Sequence, residues 1–150
     1  MRAVAALLVL IASAASLRSP GRTPQMAAAS NGLIVANLNS AKWEPEGGGS
    51  GGAESATLRE DPITGGVEVY ARYPAGTVFP PHWHSANERM VLLEGRISIR
   101  DGAAEKFLDP GGYAFMPAKQ IQNISCISKT NCTFYVYWDG KLDFHKAGEN

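Results

Sequence analysis

His82 and His84 are two of only three histidines in a chain of 150 residues, and a single tryptophan, Trp83, separates them. Residues two apart on a strand project from the same face, with Cα atoms about 6.6 Å apart. Both imidazoles can therefore meet one ion from one wall. Glu88 follows after a short turn and can face them across a hairpin. Two neutral imidazoles and one carboxylate form a common facial set for a divalent metal, with other positions left open. A His-x-His pair alone also occurs as ordinary pocket histidines, so the surrounding spacing carries the weight. No P-loop competes with this set.

The elements that must hold these residues read as short strands. Asp61-Pro62-Ile63-Thr64-Gly65-Gly66 is a turn, and 67–73 (VEVYARY) then alternates as a half-buried strand. Further strands are expected at 77–79, 82–84, 88–93, 96–100, 106–108, 113–116, 121–126 and 132–138. Gly95, Asp101-Gly102, Asp109-Pro110-Gly111-Gly112 and Pro117 separate several of them. Upstream, 32–38 (GLIVANL) is expected as a first, edge strand, and the Gly-rich 46–52 as a loop or linker. No stretch supports a three-turn amphipathic helix. Many short strands with dense turn signals imply an all-β sandwich or barrel.

The spacing around the histidines extends this reading. Gly76, five residues, His82, Trp83, His84, three residues, Glu88, six residues and Gly95 together reproduce the first motif of the cupin superfamily in full. The sequence resembles a small single-domain cupin over roughly 57–145. The resemblance implies an antiparallel jelly-roll barrel with the metal inside. The second cupin motif is partial: Gly111 and Pro117 hold its first half, Lys119 stands where the family has Gly, and Gln122 stands where it has a fourth ligand, His. A Gln amide oxygen is a neutral, weaker and harder ligand than an imidazole nitrogen. The expected metal set is thus His82, His84 and Glu88, with Gln122 as ligand or as hydrogen-bond donor to a bound species. The cofactor is expected to be one divalent transition metal, among Fe, Mn, Ni and Zn.

If Glu88 faces inward, Met90 and Leu92 share its face. The last long strand alternates Phe134, Val136 and Trp138 against Tyr135 and Tyr137, so either face supplies rings. Met90, Leu92, Tyr135 and Tyr137 are taken as pocket residues, with a Tyr hydroxyl meeting substrate. Trp83 should point away from the histidines. Arg89 and Lys119 are candidates to bind an anionic group.

Composition bounds the rest. Fourteen Lys and Arg balance 14 Asp and Glu, which argues against a broad nucleic-acid footprint. All 14 acidic residues lie at Glu44 or later, so the first 43 residues are a different kind of chain. Met1-Arg2, the apolar 3–11 and Ala12-Ser13-Ala14 read as a signal peptide, too short for a membrane span. The acid-free 16–30 also fits a transit peptide to a plastid, and Met26 is an alternative start. The expected organisation is a targeting segment at 1–30, a strand and Gly-rich loop at 31–56, a barrel at 57–145 and a tail at 146–150. Secretion is the first reading of localisation.

Cys126 and Cys132 flank a turn, able to pair in an oxidising compartment or to act as small apolar residues in a reducing one. Asn123-Ile124-Ser125 and Asn131-Cys132-Thr133 fit the N-glycosylation pattern. Three function classes follow: a metal-dependent enzyme such as a dioxygenase, a non-catalytic module for a small molecule or metal, and a metal-stabilised structural protein. The expected partner is a small molecule, with neither nucleic acid nor a membrane span, and a homodimer is possible.

Overall fold

The computed structural model describes residues 32–46 and 51–148. The expected targeting segment and the centre of the Gly-rich loop lie outside the described residues. Eleven strands run through the rest: β1 (Glu44–Pro45), β2 (Glu54–Glu60), β3 (Val67–Tyr73), β4 (His82–Trp83), β5 (Glu88–Glu94), β6 (Ile97–Asp101), β7 (Ala104–Leu108), β8 (Tyr113–Met116), β9 (Asn123–Cys126), β10 (Cys132–Trp138) and β11 (His145–Lys146). The chain is an antiparallel, all-β jelly roll. One sheet has the order β1-β2-β3-β10-β5-β8, and against it stand β7-β6-β9 and the pair β11-β4.

Alternation on the central strands builds the core. β3 and β10 pair Val69 with Val136 and Ala71 with Phe134, and β10 and β5 pair Val136 with Met90 and Phe134 with Leu92. All six side chains are buried, with Met90 and Leu92 at 0% exposure. Six apolar side chains on one face of three adjacent strands pin the register, since a one-residue slip would turn them all to solvent.

Three expectations need correction. Residues 32–37 are exposed and contain no strand, and Leu38 opens a single 3-10 turn, Leu38–Ser40. Their apolar side chains find no facing surface, and burial, not β-propensity, sustains a strand. The sheet opens instead with the two-residue β1, and β2 starts at Glu54, ahead of residue 57. Residues 77–79 form no regular strand, only a bridge between Val78 and Ser125. At the other end β11 runs into the expected tail.

Gly95 and Lys119 show how the backbone holds the turns. Gly95 has φ +84°, and a Cβ there would lie 2.7 Å from the Asn131 carbonyl oxygen and 2.9 Å from Cys132 Sγ. No other residue fits. Lys119 has φ +64°, the one non-glycine in the left-handed region among the described residues. That is the position where the family resemblance implies Gly. Its backbone N–H donates to the His84 carbonyl at 2.8 Å, so the strained turn ties the β8–β9 connection to the site. Cys126 and Cys132 form a disulfide across the β9–β10 turn. Of the two glycosylation patterns, Asn123 has its amide hydrogen-bonded to the Phe79 carbonyl, whereas Asn131 is exposed in that turn.

Candidate functional site

The site is built where the two layers meet at one end of the barrel. His82 and Gln122 stand opposite each other and exchange both backbone hydrogen bonds, at 2.9 and 2.8 Å. Such a pair places its two side chains on the same face. Glu88 comes from the other layer, where β5 pairs it with Trp138 on β10 and Met116 on β8. His82, His84, Glu88 and Gln122 are all buried, at 3, 8, 3 and 3% exposure. The four residues singled out from sequence are therefore brought together.

Each imidazole is oriented from behind. His82 Nδ1 donates to the Pro80 carbonyl at 2.8 Å, and His84 Nδ1 donates to the Asp143 carbonyl. A carbonyl can only accept, so in the neutral ring the proton sits on Nδ1 and Nε2 keeps its lone pair. Burial pushes the His82 imidazole down to about 4 and lowers that of His84 as well. Both rings are thus neutral at pH 7. His84 Nε2 lies 3.5 Å from Glu88 Oε2, and the two imidazole rings meet edge to face at 5.1 Å.

Glu88 and Gln122 form the other half. Gln122 Nε2 donates to Glu88 Oε2 at 2.7 Å, which leaves Gln122 Oε1 buried without a partner among the described residues. Burial raises the Glu88 carboxyl to about 7, against the pull of the Gln122 amide and the Trp138 indole N–H, with Glu46 adding a smaller push upward. Trp138 Nε1 makes no hydrogen bond of standard geometry among the described residues.

Do these residues fit a divalent metal? Two Nε2 lone pairs fixed by backbone carbonyls are the arrangement that orients histidine ligands. One carboxylate and an unpartnered amide oxygen complete a donor set of the right chemistry. Among the described residues, no three His, Cys, Asp or Glu side chains stand at closed ligand spacing. The donors match by chemical type.

The site opens into a cavity of about 490 Å³. Its wall carries Val69, Ala71, Ile124, Phe134 and Val136, together with the rings of Tyr73, Phe79, Trp138 and Phe144. Phe144 stacks on the His82 ring at 4.6 Å, and Tyr73 stacks on Phe79 at 4.2 Å. The segment after β10 is clamped over this end. Asp139 accepts from the Asn87 backbone and side chain at 3.0 and 2.9 Å and from Arg89 at 3.1 Å, while Asp143 accepts from the Ser85 N–H at 2.8 Å.

Some expected pocket residues lie elsewhere. Tyr135 and Tyr137 occupy the outward face of β10, because register with Val69 and Met90 turns Phe134, Val136 and Trp138 inward. Tyr135 donates to Glu68 at 3.0 Å, and the Arg89 guanidinium lies 5.6 Å from the Tyr137 ring. Met90 and Leu92 face inward but belong to the packed core, not to the cavity wall. Arg89 is held by Asp139 outside the cavity, and Lys119 is exposed, so neither faces it. Trp83 points away from its histidine neighbours and stacks on His145 at 3.9 Å.

Sequence reasoning missed Glu46, Asp143 and Phe144. The third histidine two residues beyond Asp143 was the available signal for the C-terminal segment; Glu46 offered none, since only pairing places it.

Comparisons with known proteins agree on the fold. The family described as the ChrR Cupin-like domain matches residues 31–140. The DNA damage-repair/toleration protein DRT102 of Arabidopsis thaliana is 29% identical over 94 residues, covering 61% of this chain and 28% of that protein. The chain thus spans under a third of that relative's length. An RmlC-like cupin protein from Ralstonia eutropha JMP134 has a TM-score of 0.65 at 16% identity, covering 81% of this chain and 76% of the other. A putative acetylacetone dioxygenase from Methylibium petroleiphilum PM1 has a TM-score of 0.62 at 20% identity, covering 77 and 82%. At these identities the solved structures speak for the fold alone.

Proposed function

This chain belongs to the ChrR cupin-like family of the cupin superfamily, and from that premise we propose that it is a metal-dependent enzyme acting on a small organic molecule in the barrel cavity. One observation carries the reading. Both imidazoles are locked through Nδ1 to backbone carbonyls, leaving two Nε2 lone pairs, that of His84 3.5 Å from Glu88, and an unpartnered Gln122 oxygen. Nothing in packing alone requires that arrangement, and burying it without a ligand is costly.

In this reading His82, His84 and Glu88 hold one divalent metal, with Gln122 as a fourth donor or as the clamp on Glu88. Bound there, the metal would supply a Lewis acid or, if redox-active, a place for O₂. The chain's own part is to orient substrate against the apolar wall and exclude water. A dioxygenase-like reaction is the first candidate. One solved structure with this fold is described as a putative acetylacetone dioxygenase. We also propose that residues 1–30 direct the chain out of the cytosol, consistent with the Cys126–Cys132 disulfide. No helix among the described residues is long and apolar enough to cross a membrane.

The test is reconstitution of chelator-stripped protein with Fe(II), Mn, Ni or Zn separately, assayed for O₂ uptake and product on small phenols and keto acids. Turnover with one metal, lost in His82→Ala/His84→Ala, supports the enzyme. Metal binding without turnover on any substrate supports a binding module instead.

A further inference from the structure

We propose that the cavity selects an organic cation, and that Glu46 is the residue that selects it. The inference rests on the reading of the cavity as a small-molecule site and adds the chemical class of its occupant.

Glu46 is placed by register. Its backbone N–H donates to the Ala53 carbonyl at 2.9 Å, just beyond the β1–β2 pairing of Pro45 with Glu54. Ala53 is 1% exposed and part of the core. Residues directly opposed across an antiparallel pair share a face, so Glu46 is turned inward and forms part of the cavity wall.

The wall's charge is one-sided. It carries three carboxylates, Glu46, Glu88 and Asp143, and neither Lys nor Arg. Asp143 is satisfied by the Ser85 N–H at 2.8 Å and lies 3.1 Å from His145. Glu88 is held by Gln122. The Glu46 carboxylate alone has no hydrogen bond or ion pair among the described residues. Burial accordingly raises it to about 7, the state of a carboxylate lacking the counter-charge a ligand would bring.

One further feature gives the occupant its character. Tyr73, Phe79, Trp138 and Phe144 present rings to the same space, and ring faces attract cations. The Trp138 indole N–H is turned to Glu88 and so is not offered to a ligand. A carboxylate without a counter-charge beside aromatic rings describes an organic cation, not a hydrocarbon or a polyanion.

Choline and its neutral isostere 3,3-dimethylbutan-1-ol are the probes, titrated calorimetrically at pH 8 into the full chain. Wild type should bind choline at least about tenfold more tightly than the isostere, the scale of a desolvated cation–π and carboxylate contact. Glu46→Gln should bring that ratio close to one while metal content stays the same. Equal binding of the two probes by wild type, absence of choline binding at millimolar concentration, or a ratio unchanged in Glu46→Gln would each overturn the proposal. Metal content read on the same samples keeps the two readings apart. A metal-free wild type that still discriminates refutes only the metal, and a metal-loaded one that does not discriminate refutes only the cation site.

Discussion

Replacing Glu88 by Gln in chelator-stripped protein should stabilise it at alkaline pH. The carboxyl sits 3% exposed between Gln122, His84 and Trp138, with no cation beside it, and is raised from 4.5 to about 7. A carboxyl raised on folding contributes stability below its unfolded value and loses it as pH climbs through the folded one. At about 1.4 kcal/mol per pH unit, the interval between 4.5 and 7 corresponds to about 3 kcal/mol of penalty in full by pH 8. Glu88→Gln keeps the shape and the hydrogen bond to Gln122 while removing the charge. Urea unfolding of both proteins at pH 4.5, 6 and 8 reads the difference. The variant should match wild type within about 1 kcal/mol at pH 4.5 and exceed it by about 3 kcal/mol at pH 8. The histidines titrate in both proteins and cancel. A variant less stable than wild type at pH 8, or a difference that does not grow with pH, would refute the reasoning.

Four further outcomes are expected. Lys119→Gly should raise stability by about 1 kcal/mol in urea melts, because φ +64° costs an L-residue that much and glycine nothing. Asp139→Ala should cost about 1 to 2 kcal/mol by the same assay, since it strips three hydrogen bonds from Asn87 and Arg89. Asp109→Ala, whose partner Arg96 is half exposed, should cost little. Gln122→His should tighten Ni and Zn binding in titrations at pH 8 and Gln122→Ala should weaken it, if the unpartnered Oε1 is a ligand; Gln122→Ala without effect would assign it to the clamp on Glu88.

How far the sequence is legible depends on how local the determinant is. His82, His84 and Glu88 lie close in sequence, so spacing alone brings them near each other, although the expected hairpin is absent and β4 and β5 belong to different sheets. Gln122 was readable only through the family resemblance, yet its exchange of backbone hydrogen bonds with His82 is what puts it in the site. The strands 67–73 and 132–138 announce themselves by alternation, but alternation does not say which face is inward. Tyr135 and Tyr137 could have served as well as Val136 until pairing with Met90 and Val69 decided the matter. Asp143 and Phe144 reach the cavity through contacts with the distant His82–Ser85 segment, and Glu46 through its pairing with Ala53 across the Gly-rich loop. No local pattern encodes those. The stretch 32–38 errs in the opposite direction, carrying strand propensity with no partner to bury it.

The central claim is that His82, His84 and Glu88 hold one divalent metal beside the cavity. Its most direct test is elemental analysis of purified protein after dialysis against trace Fe(II), Mn, Ni or Zn, set against His82→Ala/His84→Ala treated identically. Wild type should carry about one metal ion per chain and the double variant essentially none, with both proteins folded by circular dichroism. Equal metal content in the two folded proteins would contradict it.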